Sequence, residues 1–385
     1  MFLFSILIFI FILLISIDIY LKFKPCSKLK IIPIKYNLLE EKDSDKVICE
    51  FMVINLNSRK ETMIPNFDIE LDFFNNGLIS KFPFETQIII DDGYIKRNIN
   101  NYWPTLIVKA NSSISIRIEF RFNKFFISNE DFIWLKVNWT NYGHFGFINR
   151  QNCFLLNNKN NLTFQSQIIK IPDENEYEII AIKTNILGVF DNPIETICKY
   201  CKDTIKQDDI LILGETPLAI MQGRYINPKN IECSIFSYIF CYFFHPTSSL
   251  ATSCGMQLLI NKIGITRITY SLLLGAFFKL LGINGVFYRL AGIESSLIDD
   301  ISGTTIPYDK SIVMGPKNTY KFCHEISKRL NIDSAIVDAN DLGGVKIISS
   351  SSRQINKIIF KALKGNPSGN DDQKTPIVLI RRKHN

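Results

Sequence analysis

With 385 residues and 46% apolar side chains, the chain exceeds what one hydrophobic core normally fills and is too apolar to be disordered, so two domains plus an appendage are expected. The formal net charge of +7 is mild for this length, and lysines and arginines are interspersed with carboxylates instead of forming a basic stripe among aromatics, which argues against nucleic acid as a partner. Nine cysteines, an odd number scattered over a long chain, do not make a secreted disulfide framework, and reduced thiols in a cytosolic setting fit better.

Residues 1–17, MFLFSILIFIFILLISI, carry no charge, and after Asp18 the apolar run resumes through Ile19, Tyr20 and Leu21. That is just long enough to cross a bilayer, and neither a leading positive charge nor a small-residue cleavage site marks a secretory signal. An uncleaved transmembrane anchor over residues 1–21 is expected. Lys22, Lys24, Lys28 and Lys30 follow it, so the positive-inside rule makes this a single-pass membrane protein with its bulk facing the cytoplasm.

From about residue 45 to 156 the pattern has period two. Phe67, Ile69, Leu71 and Phe73 alternate with Asp68, Glu70 and Asp72, and Asn75-Asn76-Gly77 supplies a turn. Ile114, Ile116, Ile118, Phe120 and Phe122 alternate with Ser115, Arg117, Glu119 and Arg121 in the same way, and further strands are expected over 47–56 and 132–139. Several half-buried strands with no helical stretch between them predict a small antiparallel β-sandwich with a structural or docking role. The Asn-rich stretch 157–161 reads as a linker, which sets a boundary near residue 165.

The remainder, residues 165–385, mixes helix and strand. Strands are expected over 177–182, 210–213 and 334–337, and a helix over 193–204. The apolar stretches 235–244 and 268–278 are only about half the length of a membrane span, so they are expected to be buried core helices. Cys198-Lys-Tyr-Cys201 is the only C-x-x-C, and His144, His245, His324 and His384 are isolated, so neither a zinc site nor a redox pair is the favoured reading.

Four polar constellations in this second half could carry chemistry. In DDILILGETPLAIMQGR, residues 208–224, a buried strand runs into Glu215 and Thr216 and ends on Gly223 and Arg224, a layout that suits an anion or a nucleotide. His245 to Gly255 is rich in hydroxyls and reads equally as an anion wrap or as a loop leading into a helix. Glu294, Asp299 and Asp300 follow Ala-Gly-Ile, and Asp338-Ala-Asn340-Asp341 precedes Gly343-Gly344 at a strand end. Strand-end carboxylates suit a hard cation, and two acidic sites converging on one ion would neutralise a phosphate chain; for Asp299 and Asp300 solvated loop carboxylates are an equal reading. No G-x-x-x-x-G-K-[ST], strand-led G-x-G-x-x-G or G-x-S-x-G occurs.

DDILILGETPLAIMQGR, AGIESSLIDD and IVDANDLGG, in that order, resemble the coenzyme F420-0:L-glutamate ligase family over roughly residues 177–385, with the anchor and sandwich outside the likeness. The resemblance implies an α+β ligase-like domain that adds γ-linked L-glutamate to a small-molecule carboxylate such as that of coenzyme F420-0. GTP would be the co-substrate, a divalent ion (magnesium or manganese) the cofactor, and an acyl phosphate the activated intermediate. It assigns Glu294 and Asp338 to the metal, and Gly223, Arg224 and Asn340 to the nucleotide loops; Glu215 and Thr216 are expected to line the phosphate or carboxylate site with Arg224, and a homodimer is compatible with this reading. The chain departs from the pattern at Ile220 (lysine expected), Leu297 (asparagine expected) and Ala339 (threonine expected), and it ends soon after residues 375–380, where a glycine-containing nucleotide loop is expected. A non-catalytic, membrane-anchored binding or scaffold protein that keeps the ligase fold is the rival reading.

Overall fold

The computed structural model describes residues 27–75, 78–91, 96–99, 103–123, 125, 131–143, 145–157, 168–171, 177–301, 305–339, 344–364 and 374–383, together with Ile6, Phe9, Ile12, Leu13 and Ser16. Those five N-terminal residues are helical and exposed, and the rest of the expected anchor over residues 1–21 lies outside the described residues. Among the described residues no single helix is long and apolar enough to cross a membrane. The Asn-rich linker beyond Asn157 and the boundary near residue 165 also lie outside them.

Ten strands build the sandwich: β1 (Leu29–Glu40), β2 (Ser44–Asn55), β3 (Thr62–Asn75), β4 (Leu78–Ser80), β5 (Phe84–Asp91), β6 (Lys96–Ile99), β7 (Leu106–Val108), β8 (Ser113–Asn123), β9 (Phe132–Gly143) and β10 (Gly146–Asn157). One sheet runs β1-β2-β8-β5-β6 and the other β10-β9-β3-β4, with β7 on β3. Period-two sequence becomes a period-two interior: Val47, Cys49, Phe51 and Val53 of β2 and Ile114, Ile116, Ile118 and Phe120 of β8 face the core, where they meet Phe73, Leu135 and Val137 of the other sheet. The sandwich begins earlier than residue 45. Strand β1 pairs along β2, but its register shifts between Pro33 and Lys35, and this bulge breaks the alternation that would have announced it.

The C-terminal domain is α+β. Its main sheet follows the order β11 (Ile168–Ile171), β12 (Tyr177–Ile182), β19 (Ile377–Arg382), β13 (Ile210–Gly214), β17 (Asp333–Ala339) and β18 (Val345–Ser350). Only β13 and β17 run parallel, from Ile210↔Asp333 to Gly214↔Val337. Both faces are covered. Leu211, Leu213 and Ile336 pack under α1 (Pro193–Cys201) and α7 (Thr319–Leu330), while Ile212, Val337 and Val378 pack against Ile359 and Ala362 of α8 (Asn356–Ala362). A small sheet of β14 (Tyr225–Ile226), β16 (Ile312–Met314) and β15 (Ile298–Asp299) sits beside it.

The leading acid Asp209 is structural. Its side chain is fully buried and bidentate to Arg381 of β19, Nε to Oδ1 at 2.8 Å and Nη2 to Oδ2 at 2.7 Å, so the ion pair ties the start of β13 to its neighbour.

A helical lobe follows, made of α3 (Ile235–Cys241), α4 (Ser253–Ile263), α5 (Ile265–Leu280) and α6 (Val286–Ala291). Its inner side forms a cluster of Met256, Leu259, Ile268 and Phe287. The expectation of buried core helices over 235–244 and 268–278 is corrected here. In α5 only Ile268 and Ser271 are buried, and Tyr242, Leu273 and Leu280 are 87%, 68% and 88% exposed. Hydropathy alone reports an apolar helix and not what it faces.

The two domains share a further apolar cluster. Phe74, Phe132, Trp134 and Leu155, on the outer face of the sandwich, pack with Ala219, Ile220, Tyr308 and Val313. Trp134 meets Tyr308 edge-on at 5.1 Å, and Tyr225 meets Tyr308 at 4.9 Å.

Candidate functional site

Strand β13 ends at Gly214 and α2 (Glu215–Met221) starts at once, so Glu215 is held where the apolar strand stops. Its residue is 6% exposed and its Oε2 is buried without a hydrogen-bond partner. Burial, with Asp299 and Asp338 nearby, pushes its pKa up to about 9, against a smaller opposing pull from Lys346. Glu215 is therefore protonated at neutral pH, and three carboxyl groups from three separate segments share one region.

Thr216, next in the helix, donates from Oγ1 to Oδ2 of Asp299 at 2.9 Å. Asp338 lies in β17 opposite Lys346 of β18, and burial raises its pKa while Lys346 lowers it. The Lys346 ammonium also donates to Ser296, which brings the segment carrying Glu294 against β18.

The end of α2 explains Gly223 and Arg224. The amide of Gly223 donates to the Ile220 carbonyl at 2.8 Å and that of Arg224 to the Ala219 carbonyl at 2.9 Å, with Gly223 at φ +66°. This is a Schellman cap, so the glycine is required by the helix end, and it aims Arg224 away from the helix axis. Arg224 Nε donates to the carbonyl of Gly315. Its Nη2 is buried without a hydrogen bond and lies 4.0 Å from Glu294 Oε2, while Lys262 Nζ stands 3.2 Å from Glu294 Oε1. Burial lowers the Arg224 pKa and Glu294 opposes it. Lys317 is lowered mainly by Arg224, then by burial, Lys262 and Lys30. Several cations thus crowd one carboxylate, an arrangement suited to an anion.

Three of the four constellations, around 215–224, 293–299 and 338–346, therefore meet. The fourth does not join them: the Thr252 hydroxyl caps α4 by accepting from the Gly255 amide at 3.1 Å, and Ser248 caps a short 3-10 turn, so the run leads into a helix. Asp300 accepts from the Ile301 amide at 2.8 Å. Asn340 lies outside the described residues. Glu294 lies with Arg224 and Lys262, while Asp338 lies by Lys346 and Glu215. Among the described residues no three His, Cys, Asp or Glu side chains are placed to hold a metal ion.

Two of the three departures from the family pattern, Ile220 and Leu297, fall at buried positions. Ile220 is 4% exposed within the interdomain cluster, and Leu297 is 3% exposed with its Cβ against Gly315, where an added Cβ would come within 2.6 Å. Ile220 packs in the interdomain cluster and Leu297 packs on Gly315. In the C-x-x-C, Cys201 is buried in the core and burial pushes its thiol up to about 12, so it is not a ready nucleophile. Sequence reasoning missed Lys346, Lys262 and Lys317. Lys346 was the one within reach, since a hairpin from Asp338 across Gly343-Gly344 puts a nearby residue opposite it.

A cleft of about 250 Å³ lined by Asn185, Asp191, Glu195, Lys199 and Tyr200 opens elsewhere, between α1 and the end of the sandwich.

No curated protein matches the chain. Solved structures similar to parts of it include the ApaA protein from Bordetella pertussis (10% identity, 34% of this chain and 93% of that chain, TM-score 0.20). A protein from Archaeoglobus fulgidus (12%, 34% and 91%, 0.19) and the yeast GGA1 GAE domain (14%, 35% and 95%, 0.18) are others. Residues 30–160 match the family model described as the N-terminal Ig-like domain of F420-0:gamma-glutamyl ligase. That match falls on the sandwich, outside the segment whose motifs carry the resemblance, and it supports the F420-0:γ-glutamyl ligase family through the N-terminal domain.

Proposed function

We propose that this chain is a γ-glutamyl-ligase-like enzyme that joins L-glutamate to a small-molecule carboxylate, such as that of coenzyme F420-0, with GTP as co-substrate. The observation that carries the reading is the acidic group (Glu215, Asp299, Asp338) with Lys346 at the C-terminal ends of the parallel strands β13 and β17, with a basic group (Arg224, Lys262, Lys317) around Glu294 on the segment that Lys346 holds through Ser296. Ligands of open sheets gather at such strand ends. In this reading Arg224 and Lys317 bind the phosphates or the acceptor carboxylate, and Thr216 and Gly223 fix the loop that carries Arg224.

For a divalent magnesium or manganese ion the described residues supply no complete cage, because Glu215 is protonated at neutral pH and no three His, Cys, Asp or Glu side chains are placed to hold one, so an ion would take its remaining ligands from the nucleotide phosphates. Asp338 and Asp299 would contact such an ion, and Glu294 would hold Arg224 and Lys262 in place. Such an ion would neutralise phosphate charge.

Thermal unfolding of the full chain in detergent with GTP, manganese, or both tests this. Stabilisation by the pair beyond either alone, lost in Asp338→Asn, supports the reading; saturating nucleotide adds about 2.7 kcal/mol at a hundredfold excess over Kd. No shift at millimolar GTP with manganese overturns it. That outcome favours the rival reading of a binding or scaffold protein, which the buried Ile220 and Leu297 also favour.

A further inference from the structure

We propose that the helical lobe formed by α3 to α6 seats on the surface of an anionic lipid bilayer, independently of residues 1–21 and of the reaction. The first observation is an unpartnered apolar face. In α3, Ile235, Tyr238, Ile239 and Tyr242 recur at i, i+3, i+4 and i+7 and are all exposed. In α5, Tyr270, Leu273, Leu274 and Phe277 repeat that spacing and are exposed as well. The inner side of α5 is fully used: Gly275 lets α6 approach until an added Cβ would stand 3.1 Å from Phe287 Cβ, and Ile268 joins the lobe core. The outward apolar stripe is therefore surplus to the fold, and scattered surface hydrophobics do not account for it.

The second observation is charge. From Cys233 to Ile293 the sequence contains no aspartate or glutamate, whereas Arg267, Lys279 and Arg289 lie in this stretch and are exposed, as is Lys262, which pairs with Glu294. A basic amphipathic surface of this kind is drawn to anionic headgroups while its apolar side chains enter the acyl boundary. The same charge disfavours a second copy as the cover, since a two-fold contact through this face sets cations against cations. Neither α4 nor α5 is long enough to span a bilayer alone. They have 11 and 16 residues, each below the roughly 20 needed to span, and they meet at a 114° bend at Gly264.

The test is a local fluorescence reading on the full chain, because residues 1–21 could bring the protein to vesicles by themselves. The three native tryptophans all lie in the sandwich. Phe277→Trp adds one on the lobe, and Leu78→Trp adds one at an exposed sandwich site as a control. With vesicles of phosphatidylcholine and phosphatidylglycerol, lipids brominated on the acyl chains should quench the added Phe277→Trp emission by about half and shift it to the blue, with the Leu78→Trp emission unaffected. The quenching should weaken when phosphatidylglycerol is omitted, and in Lys279→Gln/Arg289→Gln. Unquenched Phe277→Trp emission from vesicle-bound protein overturns the proposal. So does failure to bind vesicles, or a dimer abolished by Leu273→Ser/Phe277→Ser, which would assign the face to a second copy.

Discussion

In the sandwich, charged side chains on the sheet surface meet opposite charges across the strands, Lys46 with Glu119 at 2.8 Å and Arg117 with Glu50 at 3.4 Å, and the interior is apolar. In the C-terminal domain like charges are gathered instead: Glu215 with Asp299 and Asp338, and Arg224 with Lys262 and Lys317. The first arrangement is what stability alone would select. The second costs folding energy, which under the proposed function ligand binding would recover.

The contrast can be broken most strongly where the C-terminal domain does pair a buried charge. Arg381→Ala leaves the buried Asp209 carboxylate without its bidentate partner, and chemical denaturation should register a loss of about 3–5 kcal/mol. Truncating Trp134, which bridges the two regions, should cost about 3–5 kcal/mol by the same measurement.

Glu215→Gln should act in the opposite direction. The Glu215 pKa is raised in the fold from an ordinary 4.5 to about 9, so its contribution to stability is complete below pH 4.5 and is lost as pH rises through about 9. The glutamine variant should flatten that decline, with a melting temperature at pH 8 higher by about 2–4 °C or more. An unchanged pH profile would mean that the carboxyl is solvated. In the sandwich, Lys46→Gln should change stability by less than about 1 kcal/mol, and the change should shrink further in high salt.

Much of this plan was legible beforehand. Period two located β2, β3, β8 and β9, and Glu215, Asp299 and Asp338, spread over more than a hundred residues of sequence, lie near one another. What stayed hidden has physical causes. A bulge at Pro33 masked β1, and the α3 and α5 stripes read as core because hydropathy does not name a partner. Gly223 read as part of an anion-binding layout, yet two amide hydrogen bonds make it the cap of a helix end. Lys262 and Lys317 reach the site through tertiary folding, for which no local pattern exists.

The aromatic contact between Trp134 and Tyr308 gives the molecule a built-in optical gauge. Trp103 and Trp139 are engaged within the sandwich, by stacking on Phe67 and by an indole hydrogen bond to Asn152, so of the three indoles Trp134 alone belongs to the interdomain cluster. If the sandwich swings away from its neighbour, that indole passes from a dry to a wet setting while the other two keep their surroundings. Hinge opening would therefore be seen as a partial red shift preceding global unfolding, without any label attached.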